Sequence, residues 1–380
     1  MPHTSPRFRS RPPSTERVSE SRAARFPDFP WDLLAPYLER ARRHPDGVID
    51  LSVGTPVDAT PRAAQVALGN AADAPGYPTT AGLPELRAAC SDWLQRAHGL
   101  HVEPNAVLPC IGSKELVASL PLIMGLGAGD VVVVPRIAYP TYAVGAALAG
   151  ATAVATDAPE DIGNARLIWL NSPGNPTGSV LCAARLADVV AHGRACGALV
   201  ASDECYLDLA WDTEPVSALD ADVSGIDHAG VVSLFSLSKR SNMAGYRFGF
   251  LAGDAGVIGE LLAVRKHLGM MVPLPIQRAA MAALADDAHV GEQRDRYRMR
   301  RERLSAALLE AGLRIDESRA GLYLWATRGE PCWQTVDWFA DRGIVVTPGD
   351  FYGPAGDRHI RVALTCSDAH VAEVGQRLSR

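Results

Sequence analysis

The chain predicts an α/β architecture: a large unit with a mostly parallel sheet covered by helices, joined to a smaller α+β unit. Three observations carry this. From about residue 105, short apolar runs rich in Val and Ala end in polar or Gly/Pro clusters and alternate with longer mixed segments. The runs are continuously apolar, as in strands covered on both faces, and repeated strand–helix units imply parallel pairing with helices on both sides. After about residue 254 the rhythm changes, and a long Arg-rich helical segment precedes several short strand-like pieces.

Residues 1–25 are rich in Arg, Ser and Pro and lack an apolar signal core, so a disordered tail is expected rather than a secretory leader. Residues 26–60 precede the large sheet and are expected to pack with the smaller unit. Residues 61–275 form the large unit. Its strands are read at AVLPCI (106–111), VVVVP (131–135), ATAVAT (151–156), RLIWL (166–170), ALVASD (198–203), GVVSLF (230–235) and FGFLAG (248–253). Helices are read at 114–126 and 183–196. The last two strands are too close for a helical crossover and should be antiparallel. Residues 276–380 form the smaller unit, with a helix over 288–311 and strand pieces LRIDE, LYLWAT, IVVTPG and HIRVAL.

The 380 residues are 47% hydrophobic and 21% charged, enough for one large core and a smaller one. A net charge of −6 with both signs interspersed argues against nucleic acid or an acidic membrane as the main partner. No apolar run approaches the length of a membrane span. The seven cysteines are odd in number and form no C-x-x-C pair, which fits reduced thiols in a cytoplasmic protein and no metal site.

The stretch SLSKRSNMAGYRFG (236–249) bears most directly on function. An apolar strand delivers Ser236, Ser238 and Lys239 to a loop, and Arg247 follows eight residues after the lysine. Hydroxyls and a guanidinium around one anion suit a lysine in a Schiff base with an aldehyde cofactor whose phosphate is held nearby. A Ser/Lys/Arg-rich surface turn has the same composition. IGSKE (111–115) joins a strand to a helix, so Gly112, Ser113 and Lys114 can offer backbone N–H groups to an anion or simply cap the helix. NSPGNPTG (171–178) fixes an irregular loop in which Asn175 can present its amide to a ring oxygen, or merely turn the chain. In SDECY (202–206), Asp203 stands at a strand end with Tyr206 a turn later. A carboxylate there can keep a pyridine nitrogen protonated, or cap a helix. All of these fall where open α/β sheets gather ligands, beyond the carboxyl ends of their strands.

In this order NPTG (175–178), DECY (203–206), SLSK with Arg247, and HIRVAL (359–364) resemble fold-type-I pyridoxal-phosphate enzymes of the aspartate-aminotransferase superfamily. The resemblance covers the chain after residue 25. It implies that Lys239 carries pyridoxal 5'-phosphate and moves the proton, with Asp203 and Tyr206 as the other catalytic groups. Asp203 pairs with the ring nitrogen, and Asn175 and Tyr206 bond the ring hydroxyl. Gly112, Ser113, Lys114, Ser236 and Arg247 hold the phosphate, and Tyr139 stacks on the ring. Tyr77, in GYPTTAG, reaches the phosphate of a neighbouring subunit, which implies a homodimer with shared sites. Arg361 clamps the substrate α-carboxylate beside Gly54 and Asn175. The substrates implied are an amino acid and a 2-oxo acid, with glutamate and 2-oxoglutarate as the usual pair.

A finer resemblance is to the actinobacterial type of N-succinyldiaminopimelate aminotransferase of lysine biosynthesis. It rests on FPDFPWDLLAP (26–36), DLSVGTPVD (50–58), GSKELVA (112–118), RKHLGMMVP (265–273) and PGDFYG (348–353). Gly174 stands where that group leads one to expect serine. The alternatives are a paralogous aminotransferase of specialised metabolism with another amino donor, or a C–S lyase on the same scaffold. Arg265 and Lys266 are candidates for reading a distal acidic group, or else surface cations.

Overall fold

The computed structural model describes residues 29–379. The expected tail over 1–25 lies outside these residues. The strands are β1 (Ile49–Asp50), β2 (Val107–Cys110), β3 (Val131–Val134), β4 (Thr152–Ala155), β5 (Ala165–Asn171), β6 (Leu199–Asp203), β7 (Val231–Ser236), β8 (Gly249–Gly253), β9 (Arg314–Asp316), β10 (Tyr323–Thr327), β11 (Ile344–Val345), β12 (Thr347–Pro348) and β13 (Ile360–Ala363). Every strand expected in the large unit is present.

Seven strands form one sheet in the order β2-β8-β7-β6-β5-β3-β4. Only β8 runs against its neighbours, β2 and β7, as the short β7–β8 connection requires. The other pairs are parallel and linked through helices. Alternation along β5 shows why its run Leu167–Leu170 is apolar on both faces. Ile168 and Leu170 enter a core with Trp93, Val189 and Phe250, whereas Leu167 and Trp169 enter another with Leu120 and Tyr142. Polar residues collect at the carboxyl ends, where β5 finishes at Asn171, β6 at Asp203 and β7 at Ser236.

A second sheet, β12-β13-β10-β9, packs on the helices Ala288–Glu310, Cys332–Ala340 and Asp368–Leu378 around Tyr297, Trp325 and Phe339. The N-terminal segment joins it: β1 pairs in parallel with β11, and the Leu51 carbonyl accepts from the Ala363 N–H. IVVTPG is not one strand. Ile344–Val345 pairs with β1 and Thr347–Pro348 with β13, and the chain changes sheets at Val346. No helix among the described residues is long and apolar enough to cross a membrane.

Candidate active site

A cavity of about 500 Å³ opens at the carboxyl ends of β5, β6 and β7 and is closed on the far side by the second sheet. It is lined by Gly54, Ser113, Lys114, Tyr139, Asn175, Asp203, Tyr206, Ser236, Lys239, Arg247 and Arg361. These come from widely separated stretches of chain, and all were expected from sequence. Gly112 touches the same group from below: a Cβ placed on it would fall 2.3 Å from Arg247 Nη2, and its φ is +77°. Only glycine admits the guanidinium this close to the start of helix Ser113–Ile123. Tyr77 is not brought to this cavity by its own chain and is 96% exposed.

Lys239 does not sit on a loop. The Ser236 side chain accepts from the Ser238 N–H at 3.1 Å and caps a single helical turn, Leu237–Arg240, which carries the lysine. Lys239 Nζ donates to the Gly54 carbonyl. Gly54 itself cannot be replaced without displacing Tyr323, whose hydroxyl would meet a Cβ at 2.3 Å. Burial lowers the lysine's affinity for its proton. Arg361 and Arg247 lower it further, against Tyr323 and Cys205, which raise it.

Asp203 is buried at the end of β6. One oxygen accepts from the Tyr142 hydroxyl at 2.9 Å and the other from the Cys205 N–H at 3.2 Å. Burial pushes its pKa up, and these donors pull the other way. Arg361 is also buried. Its Nη1 donates to Asn175 Oδ1 at 3.0 Å, its Nη2 to the Ser52 carbonyl, and its Nε has no protein partner. The guanidinium lies 4.0 Å from the Tyr323 ring centroid and 5.1 Å from that of Tyr352. The Tyr206 hydroxyl meets that of Tyr323 at 3.2 Å.

The residues fit pyridoxal phosphate. Arg247 packed on Gly112 at a helix N-terminus makes an anion cradle. A desolvated carboxylate calls for a cation opposite it, which a protonated ring nitrogen provides. A buried lysine with a lowered pKa has the chemistry to act as nucleophile and proton carrier, and a stacked, buried arginine with a free Nε has donors left to offer a carboxylate. Among the described residues, no group of His, Cys, Asp and Glu could hold a metal ion.

Sequence reasoning missed Tyr142, Asn171 and Tyr323. Tyr142 was legible in AYPTY, three residues after Tyr139 at the start of a helix. Asn171 donates to the Asp203 carbonyl at 2.9 Å and accepts from the Asn175 N–H at 2.8 Å, fastening two of the loops together. Tyr323 had no local signal beyond its strand. Arg265 does not face the cavity: it is fully buried and grips Glu115 with two bonds of 2.8 and 3.0 Å. Gly174 also has a local reason, since a Cβ there would meet Thr177 Oγ1 at 2.9 Å and Ser179 Oγ at 3.0 Å.

The family model for aminotransferase class I and II matches residues 46–378. The chain is 52% identical to the 4-dedimethylamino-4-oxo-anhydrotetracycline transaminase OxyQ of Streptomyces rimosus, over 93% of this chain and 99% of that one. It is 54% identical to a probable aminotransferase of Mycobacterium tuberculosis, over 94% and 86% of the two chains. Among solved structures, a probable N-succinyldiaminopimelate aminotransferase from Thermus thermophilus superposes with a TM-score of 0.82 at 27% identity, over 92% and 98% of the chains.

Proposed function

This chain belongs to the class I and II aminotransferases, which use pyridoxal phosphate, and we propose that it serves specialised metabolism with a partner other than a diaminopimelate. The amino-transfer reading rests on one observation: Lys239, Asp203 and Arg361 converge on a single cavity. The choice of pathway is supported by the much higher identity to the tetracycline-pathway transaminase than to the diaminopimelate-type neighbour. The resemblance to succinyldiaminopimelate enzymes read from sequence is shared ancestry, because a few pocket residues decide the substrate.

In this reading Arg361 binds the α-carboxylate of the amino acid in a bidentate pair and aligns the Cα–H bond for removal. Lys239, whose hold on its proton is weakened by burial, takes the Cα proton. Bound pyridoxal phosphate supplies the carbonyl that accepts the amino group and the conjugated ring that accepts the electrons of the broken bond. Asp203 would hold the ring nitrogen protonated, and Asn175 and Tyr206 would bond the ring oxygen. Tyr139 would pack on the ring, and Gly112, Ser113, Lys114, Ser236 and Arg247 would anchor the phosphate. A second subunit lends Tyr77, making the homodimer the active form. Residues 61–275 carry the cofactor, and the smaller unit, 276–380, brings Arg361. Incubation with 2-oxoglutarate and a panel of amino donors, N-succinyl-L,L-diaminopimelate included, tests this by glutamate formed. Rapid turnover of that diaminopimelate alone would return the enzyme to lysine biosynthesis.

A further inference from the structure

Asn242 sits three residues beyond Lys239 in a left-handed conformation, φ +49°, which asparagine tolerates better than other side chains. Its backbone and side chain are both engaged. The carboxamide Nδ2 donates to Gln293 Oε1 at 2.8 Å and to the Ala59 carbonyl at 3.3 Å. Oδ1 accepts from the Tyr297 hydroxyl at 3.3 Å, and the Asn242 carbonyl accepts from Thr60 Oγ1 at 2.9 Å.

These bonds join two stretches of chain that meet again at the lysine. Gln293 passes the connection on, donating from Nε2 to Asp58 at 2.8 Å, and Arg300 grips the same carboxylate with two bonds of 2.7 Å. Asp58 and Ala59 belong to the segment whose Gly54 carbonyl accepts from Lys239 Nζ. The chain therefore closes a loop, from Lys239 through its turn to Asn242, across to residues 58–60, and back along that segment to Gly54. Gln293, Tyr297 and Arg300 are all buried on helix Ala288–Glu310, so the far side of the loop has a rigid backing.

We propose that Asn242 is a positioning residue for Lys239, fastening the turn that carries the lysine to the segment that presents the Gly54 carbonyl. Asn242 does not line the cavity. It acts by keeping two stretches far apart in sequence in register, so that the lysine nitrogen stays enclosed and aimed. Without it the Gly54 segment withdraws and water reaches the lysine. The inference rests on Lys239 being the cofactor-bearing residue.

The test titrates the visible band of the loaded enzyme against pH, which reports protonation at the lysine nitrogen. Asn242→Gly retains the left-handed backbone and removes the carboxamide. The lost Gly54 carbonyl disfavours the cation, but water replaces that acceptor and adds solvation that favours it, so the midpoint should rise by about one pH unit, a tenfold change in proton affinity. Arg247, Arg361, Asp203, Cys205, Tyr206 and Tyr323 also bear on that nitrogen, and none is altered. Thr60→Val, which removes one half-buried hydroxyl, should shift the midpoint the same way by less and remains measurable if the glycine variant fails to fold. A wild-type midpoint in these variants, even with lowered melting temperatures, would overturn the inference and leave Asn242 as a purely structural residue. Borohydride reduction and peptide mapping of the wild type separate the two claims. A label elsewhere than Lys239 sinks the functional reading, whereas a label on Lys239 with unmoved midpoints sinks only this one.

Discussion

The Tyr142 hydroxyl donates to the Asp203 carboxylate at 2.9 Å inside the core, and the same tyrosine stacks on Trp169 with ring centroids 4.9 Å apart. The carboxylate is thus fixed in place before any cofactor arrives, in surroundings that penalise its charge. Asp203→Asn keeps the shape but cannot hold a ring nitrogen protonated. Transamination should fall by several orders of magnitude while cofactor affinity suffers less. Near-normal turnover in the Asn variant would remove Asp203 from the chemistry.

The same burial predicts a pH effect in the enzyme stripped of cofactor. A carboxyl whose pKa is raised by folding contributes stability below its unfolded value, about 3.9, and loses it as pH rises through the folded value. Urea midpoints of the stripped wild type should therefore fall relative to Asp203→Asn as pH climbs from about 4 towards 7. Parallel curves for the two proteins over that range would show that the charge is better solvated than its position implies.

Arg361 is held by the Asn175 side chain and the Ser52 carbonyl and lies over the rings of Tyr323 and Tyr352. A lysine preserves the charge but has neither the planar fork nor the stacking face. Arg361→Lys should raise KM for both amino donor and oxo acid by roughly tenfold to a hundredfold, the scale of one charged hydrogen bond. Damage confined to one substrate would mean that Arg361 reads a side chain rather than the shared α-carboxylate.

Arg300 bonds Asp58 and Asp368 at 2.7 Å from a buried position and ties the N-terminal segment to two helices of the smaller unit. Burial alone would raise the Asp58 pKa, but hydrogen bonds from Arg300 and Gln293 outweigh it and the net shift is downward. The stability this contributes is present above the unfolded pKa of about 3.9 and disappears as pH falls through the lower folded value. Asp58→Asn should leave a variant less stable than wild type at neutral pH, with the gap closing in acid. Arg300→Met strands the Asp58 carboxylate and should cost about 3–5 kcal/mol, measured by denaturant titration. A loss below about 1 kcal/mol would mean that water replaces the guanidinium, as at exposed pairs.

Much of this was legible in the sequence, for physical reasons that differ by region. A strand buried on both faces is apolar over most of its length, so β3, β5, β6 and β7 declare themselves locally. Residues at strand ends are set by the chain that leads into them, and Asp203 and Lys239 could be read in that way. Contacts made across the fold leave no such trace. Tyr323 reaches Tyr206 across the cleft from the second sheet, and no spacing foretells that Gly54 will face Lys239. Arg265 shows the converse, since a basic residue in a mixed helix looks like a surface cation until its partner Glu115 is seen. IVVTPG reads as one strand because an apolar run does not reveal where the chain exchanges partners.

Tyr77 is 96% exposed on its own chain, an unusual setting for a tyrosine bounded by Gly76 and Pro78. If a second subunit covers it and its hydroxyl reaches the phosphate there, Tyr77→Phe should weaken cofactor binding by about 1–2 kcal/mol, the scale of one hydrogen bond to a charged group. Equilibrium dialysis measures that loss, and sedimentation at working concentration measures assembly. A monomer with full activity would exclude a shared site.

Lys239 is the residue on which the proposed chemistry depends. Burial among Arg247 and Arg361 lowers its pKa, so a larger fraction is neutral at working pH than for a surface lysine. Lys239→Ala removes both the nucleophile and the proton carrier, yet leaves Gly112, Ser113, Ser236 and Arg247 to cradle a phosphate. The variant should retain noncovalent affinity for the cofactor, lack the visible band of the lysine-linked form and lose transamination by several orders of magnitude. A small exogenous amine should restore a little activity, because the missing function is a base and the cavity left behind is open to solvent on one side. Borohydride should fix the cofactor to the wild type at Lys239 and to the variant at no residue. Labelling at Lys114 instead, the other lysine lining the cavity, would move the catalytic centre and withdraw the roles assigned to Asp203 and Arg361.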